Sequence, residues 1–96
     1  MKLPIPISFE WDFGNQEKNW KKHRIHYKEI EEVFFNKPIK IFPDRQHSQK
    51  EDRFLAYGKT KTNESLTIIF TVRSDKLRII SARRQNKKER KIYEKK

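Results

Sequence analysis

The sequence predicts an α+β domain with a small antiparallel sheet, two helices near the N-terminus and a basic helix at the C-terminus. Three observations indicate this class. Apolar residues recur at helical spacing in the first third of the chain. Runs rich in β-branched residues follow in the second half. The last fourteen residues hold eight Lys or Arg against two Glu. The 96 residues form one domain, 1–96, with its compact part at about 7–94.

The N-terminal part of the chain alternates first and then becomes helical. Residues 7–11, ISFEW, alternate between apolar and polar side chains as in a half-buried strand. Asp12 suits the N-cap of a helix over residues 13–23, FGNQEKNWKKH. The side of this helix that we expect to face the core carries three rings: Phe13, Trp20 and His23.

A second helix and a short strand come next. Apolar residues at i, i+3 and i+4 predict a helix over about 27–35. It would bury three side chains: Ile30, Val33 and Phe34. Pro38 ends this helix, since proline cannot donate a backbone hydrogen bond. Residues 39–42 then alternate as a short strand that Pro43 stops.

Three further strands make up the predicted sheet. FLAYGKT at 54–60 reads as the first, and the runs LTIIFTVR at 66–73 and KLRIISARR at 76–84 are the strongest strand signals in the chain. Ser74-Asp75 between the last two suits a tight hairpin.

A capping box begins the final helix. Asn86 followed three residues later by Glu89 predicts a helix over roughly 87–94. The resulting element order is β-α-α-β-β-β-β-α.

A two-residue hairpin loop would fix the register of the last two strands. It would place Thr71 opposite Arg78, Phe70 opposite Ile79 and Ile68 opposite Ser81, and opposed residues share a face. One face, expected to be core, would hold Leu66, Ile68, Phe70, Val72, Leu77 and Ile79. The other, expected to be polar and cationic, would hold Thr67, Thr71, Arg73, Lys76, Arg78 and Arg84, with Ile69 and Ile80 among them.

Composition excludes several function classes and favours a polyanionic partner. The formal charge is +11, and there is no cysteine to form a disulfide or a thiolate metal site. Glycine occurs only twice, so there is no glycine-rich phosphate loop, and the histidine spacing is not that of a metal site. No apolar run is long enough to span a membrane, so we expect a cytoplasmic protein. We also expect that it uses no cofactor.

A polar run between two predicted strands is the strongest candidate site. Residues 44–53, DRQHSQKEDR, contain no apolar side chain. If strand 54–60 pairs antiparallel with 66–73, this run lies near Arg73 and Arg78. The proposed catalytic set is then His47, Glu51, Arg53, Arg73 and Arg78.

Cleavage of RNA by its own 2′-hydroxyl requires groups of these types. A base and an acid must move protons, which histidine does well near neutral pH. Arginine stabilises the charge that develops on the phosphate. Glu51 could orient His47, act as the base, or only pair with an arginine. The competing interpretation is that His47 is a surface residue and that Glu51 and Arg53 form an exposed ion pair of little consequence.

The basic C-terminal segment is a candidate surface for RNA. Its cations would contact phosphates without reading sequence. They are Arg83, Arg84, Lys87, Lys88, Arg90 and Lys91. The alternative is a solvated, solubilising tail.

A distinctive series of residues runs along nearly the whole chain. It begins with FEWD at 9–12, Asn19 and Lys22-His23, and continues with Asp44, His47-Ser48, Glu51, Arg53 and Gly58. It ends with Arg73, RIISARR at 78–84, Glu89-Arg90 and Tyr93-Glu94. In this order, the series resembles the BrnT-type toxin family. Two positions depart from the pattern: Asn15 replaces a frequent Lys, and Arg24 replaces a usual Gly that looks like a left-handed helix C-cap.

The resemblance implies a small ribonuclease toxin with a RelE-like fold, belonging to a type II toxin–antitoxin module. It also implies inhibition of translation, neutralisation by a DNA-binding antitoxin of the BrnA type, and contact with DNA only through the toxin–antitoxin complex, which would repress its own operon. Two alternatives stay open. The chain could be a non-catalytic nucleic-acid-binding module, or its last helix could mainly be a surface for the antitoxin.

Overall fold

The computed structural model describes residues 2–95, and the side chain of His47 lies outside the described set. Its helices are α1 (Phe13–His23), α2 (Tyr27–Val33) and α3 (Lys87–Glu94). Its strands are β1 (Phe9–Glu10), β2 (Lys40–Pro43), β3 (Arg53–Lys59), β4 (Ser65–Arg73) and β5 (Lys76–Arg84). A 3-10 turn over Arg45–His47 lies between β2 and β3. The predicted α+β class and element order are confirmed, although the first strand is shorter than 7–11.

The five strands form one sheet in the order β1-β5-β4-β3-β2. Strands β2 to β5 pair antiparallel, as predicted. Strand β1, however, pairs parallel with β5, so the expectation of a purely antiparallel sheet is wrong. A parallel pair needs a long crossover, and here nearly the whole chain, from α1 to β4, connects the two strands.

The hairpin between β4 and β5 has the predicted two-residue turn. Ser74 and Asp75 both adopt left-handed φ angles, 48° and 63°, as a type I′ turn requires. The predicted pairs Thr71–Arg78 and Phe70–Ile79 are confirmed.

A β-bulge changes the register farther from the turn. Beyond Phe70 the register shifts by one residue, so Ile68 pairs with Ala82 rather than with the predicted Ser81. The extra residue, Ile80, has no partner, which is how a bulge bends a strand and reverses the faces of the residues after it.

The bulge exchanges the faces on which Arg83 and Arg84 lie, relative to the register predicted from the hairpin. Arg84 pairs with Leu66 and therefore lies on the helix-covered face, not on the cationic face predicted for it. Arg83 pairs with Thr67 and takes its place on the other face. Thr67 and Thr71 are also buried, so that face is less exposed than expected.

The hydrophobic core lies between α2 and one face of the sheet. Four buried side chains come from the helical layer. Ile25 lies between α1 and α2, Ile30 and Val33 belong to α2, and Phe34 is its C-cap. The sheet contributes Ala56, Leu66, Ile68, Phe70, Leu77, Ile79 and Ala82. The rings of Phe34 and Phe70 meet edge to face at 5.3 Å. The predicted core of α2 and of the two long strands is therefore confirmed, with Val72 partly buried against it.

Helix α1 packs differently from the prediction. Phe13 and Trp20 are 75% and 47% exposed, so their assignment to the core is wrong. The buried residue of α1 is Asn19, whose Oδ1 accepts the amide hydrogen of Ala82 at 3.1 Å. The sequence pattern did not predict a polar side chain on the buried side of α1. Asn19 is buried there because it satisfies the backbone N–H of Ala82 beside the bulge.

The first and last helices begin at their predicted caps, whereas α2 ends at Val33, well before Pro38. Asp12 caps α1 by accepting from the Gly14 amide, and Asn86 and Glu89 form the predicted capping box of α3. Arg24 ends α1 in the left-handed conformation, with φ 56° and ψ 37°. In the described part of the chain, no helix has the length and apolar character that crossing a bilayer requires.

Candidate active site

The sheet face that does not carry the main core presents a row of polar side chains. The register places Glu10 beside Arg78, Arg78 beside Thr71, and Thr71 beside Arg53. Adjacent strands lie about 5 Å apart, so Arg53 and Arg78 flank Thr71 with their backbones about 10 Å from each other. Arg73, two residues after Thr71 on the same strand, lies on the same face.

The loop between β2 and β3 folds back onto the start of β3. The Asp44 amide donates to the Arg53 carbonyl at 2.8 Å. The Ser48 hydroxyl donates to the Asp44 carbonyl at 2.6 Å and accepts from the Arg53 amide at 3.0 Å. Asp44 is buried, and these bonds hold the loop in a compact turn beside Arg53.

The end of this loop is fastened to β4. The Thr71 hydroxyl donates to the carbonyl oxygen of Asp52 at 2.7 Å. Glu51 accepts from Nε and Nη2 of Arg73 at 3.2 and 3.0 Å. Its other carboxylate oxygen lies 3.8 Å from Nη2 of Arg53. One carboxylate therefore holds two of the three arginines, and of the roles considered for Glu51 the structure displays the pairing with arginine.

Arg78 is held from the opposite side, by carboxylates that sequence reasoning did not select. Its Nη1 lies 3.4 Å from Glu10, and its Nη2 lies 3.7 Å from Asp12. Both carboxylates belong to the FEWD segment at 9–12, and only the parallel pairing of β1 with β5 brings that segment to Arg78. Arg78 is about one-quarter exposed, so it faces solvent between its partners.

The structure does not test the role of His47. Its backbone belongs to the 3-10 turn of the β2–β3 loop, which brings the residue to the same end of the sheet as Arg53. Its side chain lies outside the described residues, so its part in proton transfer stays a prediction from the sequence.

The predicted RNA-binding cations divide into two groups. Arg83 donates to both oxygens of Glu89, at 2.6 and 2.7 Å, and so ties α3 to β5. Arg84 donates to the His23 carbonyl at 2.6 Å and contacts Glu64 at 3.4 Å. Both arginines thus have structural partners. The other four side chains are exposed on α3: Lys87, Lys88, Arg90 and Lys91.

The contact between Arg83 and the buried Glu89 affects the ionisation of Glu89. Burial alone would raise the pKa of Glu89, but the hydrogen bonds from Arg83 and from the Asn86 backbone outweigh it. The pKa of Glu89 consequently lies below its ordinary value of 4.5.

One large groove lies away from the arginines. It has a volume of about 880 Å³ and runs between β2 and the end of α3, with Phe42, Ile92 and Tyr93 in its lining. Lys40 spans it by donating to the carbonyls of Ile92 and Lys95. A smaller depression of about 240 Å³ lies at the arginine cluster, and its lining consists of Gln46, Gln49, Lys50, Glu51 and Arg53. Among the described residues, no group of three or more His, Cys, Asp or Glu could hold a metal ion.

Several residues of the resemblance have structural roles. A β-carbon on Gly58 would lie 2.5 Å from Cγ1 of Val33, so glycine there lets α2 approach β3. Tyr93 donates to the Pro38 carbonyl at 2.7 Å and docks α3 on the sheet. Asn19 supports β5, as described above. These positions maintain the fold, whereas Glu51, Arg53, Arg73 and Arg78 gather at one surface.

Two comparisons with known proteins show what this chain is similar to. The family model described as "Ribonuclease toxin, BrnT, of type II toxin-antitoxin system" matches residues 11–89. The crystal structure of the Brucella abortus ribonuclease toxin BrnT is 26% identical in sequence, with a TM-score of 0.63. The match covers 84% of this chain and 99% of the Brucella chain. None of the curated proteins matches significantly. The expected likeness to RelE toxins stays a prediction.

Proposed function

This chain belongs to the BrnT family of ribonuclease toxins of type II toxin–antitoxin systems, and from that premise we propose that it is an endoribonuclease that cuts RNA by acid–base chemistry without a metal ion. The observation that supports this proposal most is the convergence of Arg53, Arg73 and Arg78 on one sheet face beside Glu51. We further propose that cleavage of mRNA stops translation.

The chemistry begins with the 2′-hydroxyl of RNA. Its oxygen attacks the adjacent phosphorus, its proton passes to a base, and the bond from phosphorus to the 5′-oxygen breaks. An acid protonates that leaving oxygen, so the products are a 2′,3′-cyclic phosphate and a 5′-hydroxyl end. We assign one of these two proton transfers to His47, since imidazole exchanges protons near neutral pH.

The arginines would stabilise the negative charge that grows on the phosphate oxygens. Guanidinium groups stay charged and donate in a fork that fits two phosphate oxygens. In the unbound protein, Glu51 already holds Arg73 and Arg53, and Glu10 and Asp12 hold Arg78. We infer that Glu51 is a positioning residue that keeps two cations aimed at the phosphate, which reduces the reorganisation needed in the transition state.

The exposed cations of α3 would serve RNA, the antitoxin or both. We propose that they contact phosphates, and that an acidic segment of the antitoxin competes for them. We also propose that the antitoxin is a DNA-binding protein of the BrnA type and that the complex represses its own operon. A neighbouring gene for a small ribbon-helix-helix protein would support this part of the proposal, and a neighbour without any DNA-binding pattern would count against it.

Charge neutralisation separates these roles better than deletion of α3. Removing residues 86–96 would also remove Tyr93 and Glu89, which fasten α3 to the sheet. The cleaner variant changes only exposed side chains to Gln: Lys87, Lys88, Arg90 and Lys91. Binding of RNA and of antitoxin should then be measured separately. Each lost phosphate contact should reduce the salt slope of RNA binding by about 0.7.

The proposed activity has a direct test. The purified protein is incubated with single-stranded RNA in excess EDTA, and the ends of the products are analysed. We expect cleavage that leaves cyclic phosphate and 5′-hydroxyl ends, together with growth arrest when the protein is expressed without antitoxin. The alternative, a non-catalytic nucleic-acid-binding module, predicts salt-sensitive RNA binding with neither cleavage nor arrest.

A further inference from the structure

Two large aromatic side chains of α1 lie on the surface where the sequence pattern predicts core. Phe13 is 75% exposed and Trp20 is 47% exposed. They are seven residues apart, which is two helical turns, so both lie along one side of α1 and about 10 Å from each other. Exposed apolar side chains that form one continuous patch can mark a binding surface, whereas isolated ones are common.

These two rings border a groove between α1 and the start of α2. The groove has a volume of about 320 Å³, and its lining consists of Phe13, Gln16, Glu17, Trp20, His26 and Tyr27. His26 stacks on Tyr27 with ring centroids 4.7 Å apart, and Trp20 meets His26 edge to face at 6.5 Å. The His26 ring is also held as the N-cap of α2, because its Nδ1 accepts a hydrogen bond from the Lys28 amide at 3.2 Å. Three of the rings that line the groove therefore contact one another: Trp20, His26 and Tyr27.

Cations lie beside the same rings, together with Glu17, which lines the groove and pairs with Lys21 at 3.1 Å. The Arg24 guanidinium lies over the Trp20 ring, 5.4 Å from its centroid. The last turn of α1 carries Lys21, Lys22 and His23. Burial lowers the pKa of His23, and the nearby charges of Lys22, Arg84, Arg83 and Lys18 lower it further. Aromatic rings interleaved with cations are typical of surfaces that bind single-stranded nucleic acid.

The groove begins next to the arginine cluster. Asp12 caps α1 directly before Phe13, and its carboxylate lies 3.7 Å from Arg78. An RNA strand with a phosphate at Arg78 would therefore meet Phe13 first and reach Trp20 two helical turns farther on. The surface of α1 extends the candidate active site around the β1 edge of the sheet.

We propose that Phe13 and Trp20 stack on bases of the single-stranded RNA substrate to one side of the cleavage point, and that the α1 groove is a second part of the substrate-binding site. This inference rests on the proposed ribonuclease function. Stacking uses the flat face that every base has, so the subsite would lengthen the bound strand without imposing a strict sequence.

The test uses oligonucleotides that cannot be cut. RNA of four and of twelve nucleotides, methylated at every 2′-oxygen, lacks the attacking hydroxyl but keeps bases and phosphates. Binding to both lengths is measured for the wild-type protein, Phe13→Ala, Trp20→Ala, Trp20→Phe and the double alanine variant. Phe35→Ala is the matched control, because Phe35 is 64% exposed but does not line the groove.

We expect the double alanine variant to bind the twelve-nucleotide strand at least about tenfold more weakly, with less than a twofold change for the four-nucleotide strand. Trp20→Phe should keep most of the affinity, and Phe35→Ala should bind like the wild type. Phe13→Ala keeps the test decisive if Trp20→Ala is unstable, because Phe13 is the more exposed ring.

The outcomes separate this inference from the function on which it rests. Wild-type affinity of both alanine variants for the long strand overturns the base-binding groove, even if the protein cleaves RNA. Loss of antitoxin binding with unchanged RNA binding overturns it as well. Weakened binding of the long strand by a protein that never cuts unmodified RNA supports the groove and contradicts the proposed activity.

Discussion

The carboxylate of Glu51 accepts two hydrogen bonds from the guanidinium of Arg73, at 3.0 and 3.2 Å, and so joins the β2–β3 loop to the end of β4. The same carboxylate lies 3.8 Å from Arg53. Strands β3 and β4 consequently present Arg53 and Arg73 side by side. The account of the site depends on this contact, and the first prediction follows from it.

Glu51→Gln should separate positioning from base catalysis. If Glu51 only aligns Arg73 and Arg53, the variant should lower kcat/KM about tenfold and leave the pH profile of cleavage unchanged. Its free energy of unfolding should change by less than about 1 kcal/mol, since the pair is partly exposed. The measurement is RNA cleavage against pH, with thermal unfolding of the same samples.

Asp52→Asn is the control for this variant. Asp52 is exposed, and the hydrogen bond that it accepts from Thr71 uses its backbone carbonyl, which the substitution retains. It should cut RNA like the wild type. A fall of kcat by a factor of about 10²–10⁴ in Glu51→Gln, with loss of one limb of the pH profile, would instead identify Glu51 as the base.

Arg24→Gly should stabilise the protein. Arg24 ends α1 with φ 56°, a conformation that costs a residue with a β-carbon about 1 kcal/mol relative to glycine. The gain is partly offset by loss of the contact between Arg24 and the Trp20 ring. Arg24→Ala loses that contact and keeps the strain. Chemical denaturation should therefore rank Arg24→Gly above Arg24→Ala, and the reverse order would show that the left-handed C-cap is not strained.

Gly58→Ala should destabilise the fold through the packing of α2 on β3. The added carbon would lie 2.5 Å from Cγ1 of Val33, which is fully buried, so we expect a loss of about 2 kcal/mol. Val33→Ala removes the obstructing methyl groups. The double variant should then be more stable than the sum of the two single effects predicts. Simple additivity in urea denaturation would refute this explanation of the glycine.

The Arg83–Glu89 pair predicts a pH dependence of stability. The folded pKa of Glu89 lies below the ordinary 4.5, so the unfolded chain binds a proton more readily than the folded protein does. The stabilisation is complete above pH 4.5 and is lost as pH falls through the folded pKa. Glu89→Gln should cost about 2 kcal/mol at pH 7 and less at low pH. The two unfolding curves should thus converge on acidification, and a constant difference down to pH 3 would contradict the assignment.

Local signals predicted the elements that depend on local chemistry. Asp12, Asn86 and Ser74-Asp75 define two helix starts and a turn, and all three are confirmed because caps and tight turns are set by adjacent residues. The predicted antiparallel pairing of β3 with β4 is also confirmed, and it brings Arg53 near Arg73.

The errors concern features that arise from tertiary packing. One unpaired residue, Ile80, reverses the faces of Arg83 and Arg84, and no sequence signal marks it. Helix α1 buries Asn19 instead of its aromatic residues, because the polar side chain meets a backbone donor that only the folded sheet creates. The carboxylates around Arg78 were missed for the same reason, since the parallel pairing of β1 with β5 brings Glu10 to it.

The most direct test of the proposed site is cleavage of RNA by Arg78→Ala and His47→Ala in the presence of EDTA. Arg78 is a partly exposed residue of β5 and His47 belongs to a loop turn, so both variants should unfold at temperatures near that of the wild type. We predict that Arg78→Ala lowers kcat by about 10²–10³ and His47→Ala by about 10²–10⁴. Folded variants that both cut RNA at the wild-type rate would contradict the site proposed for this protein.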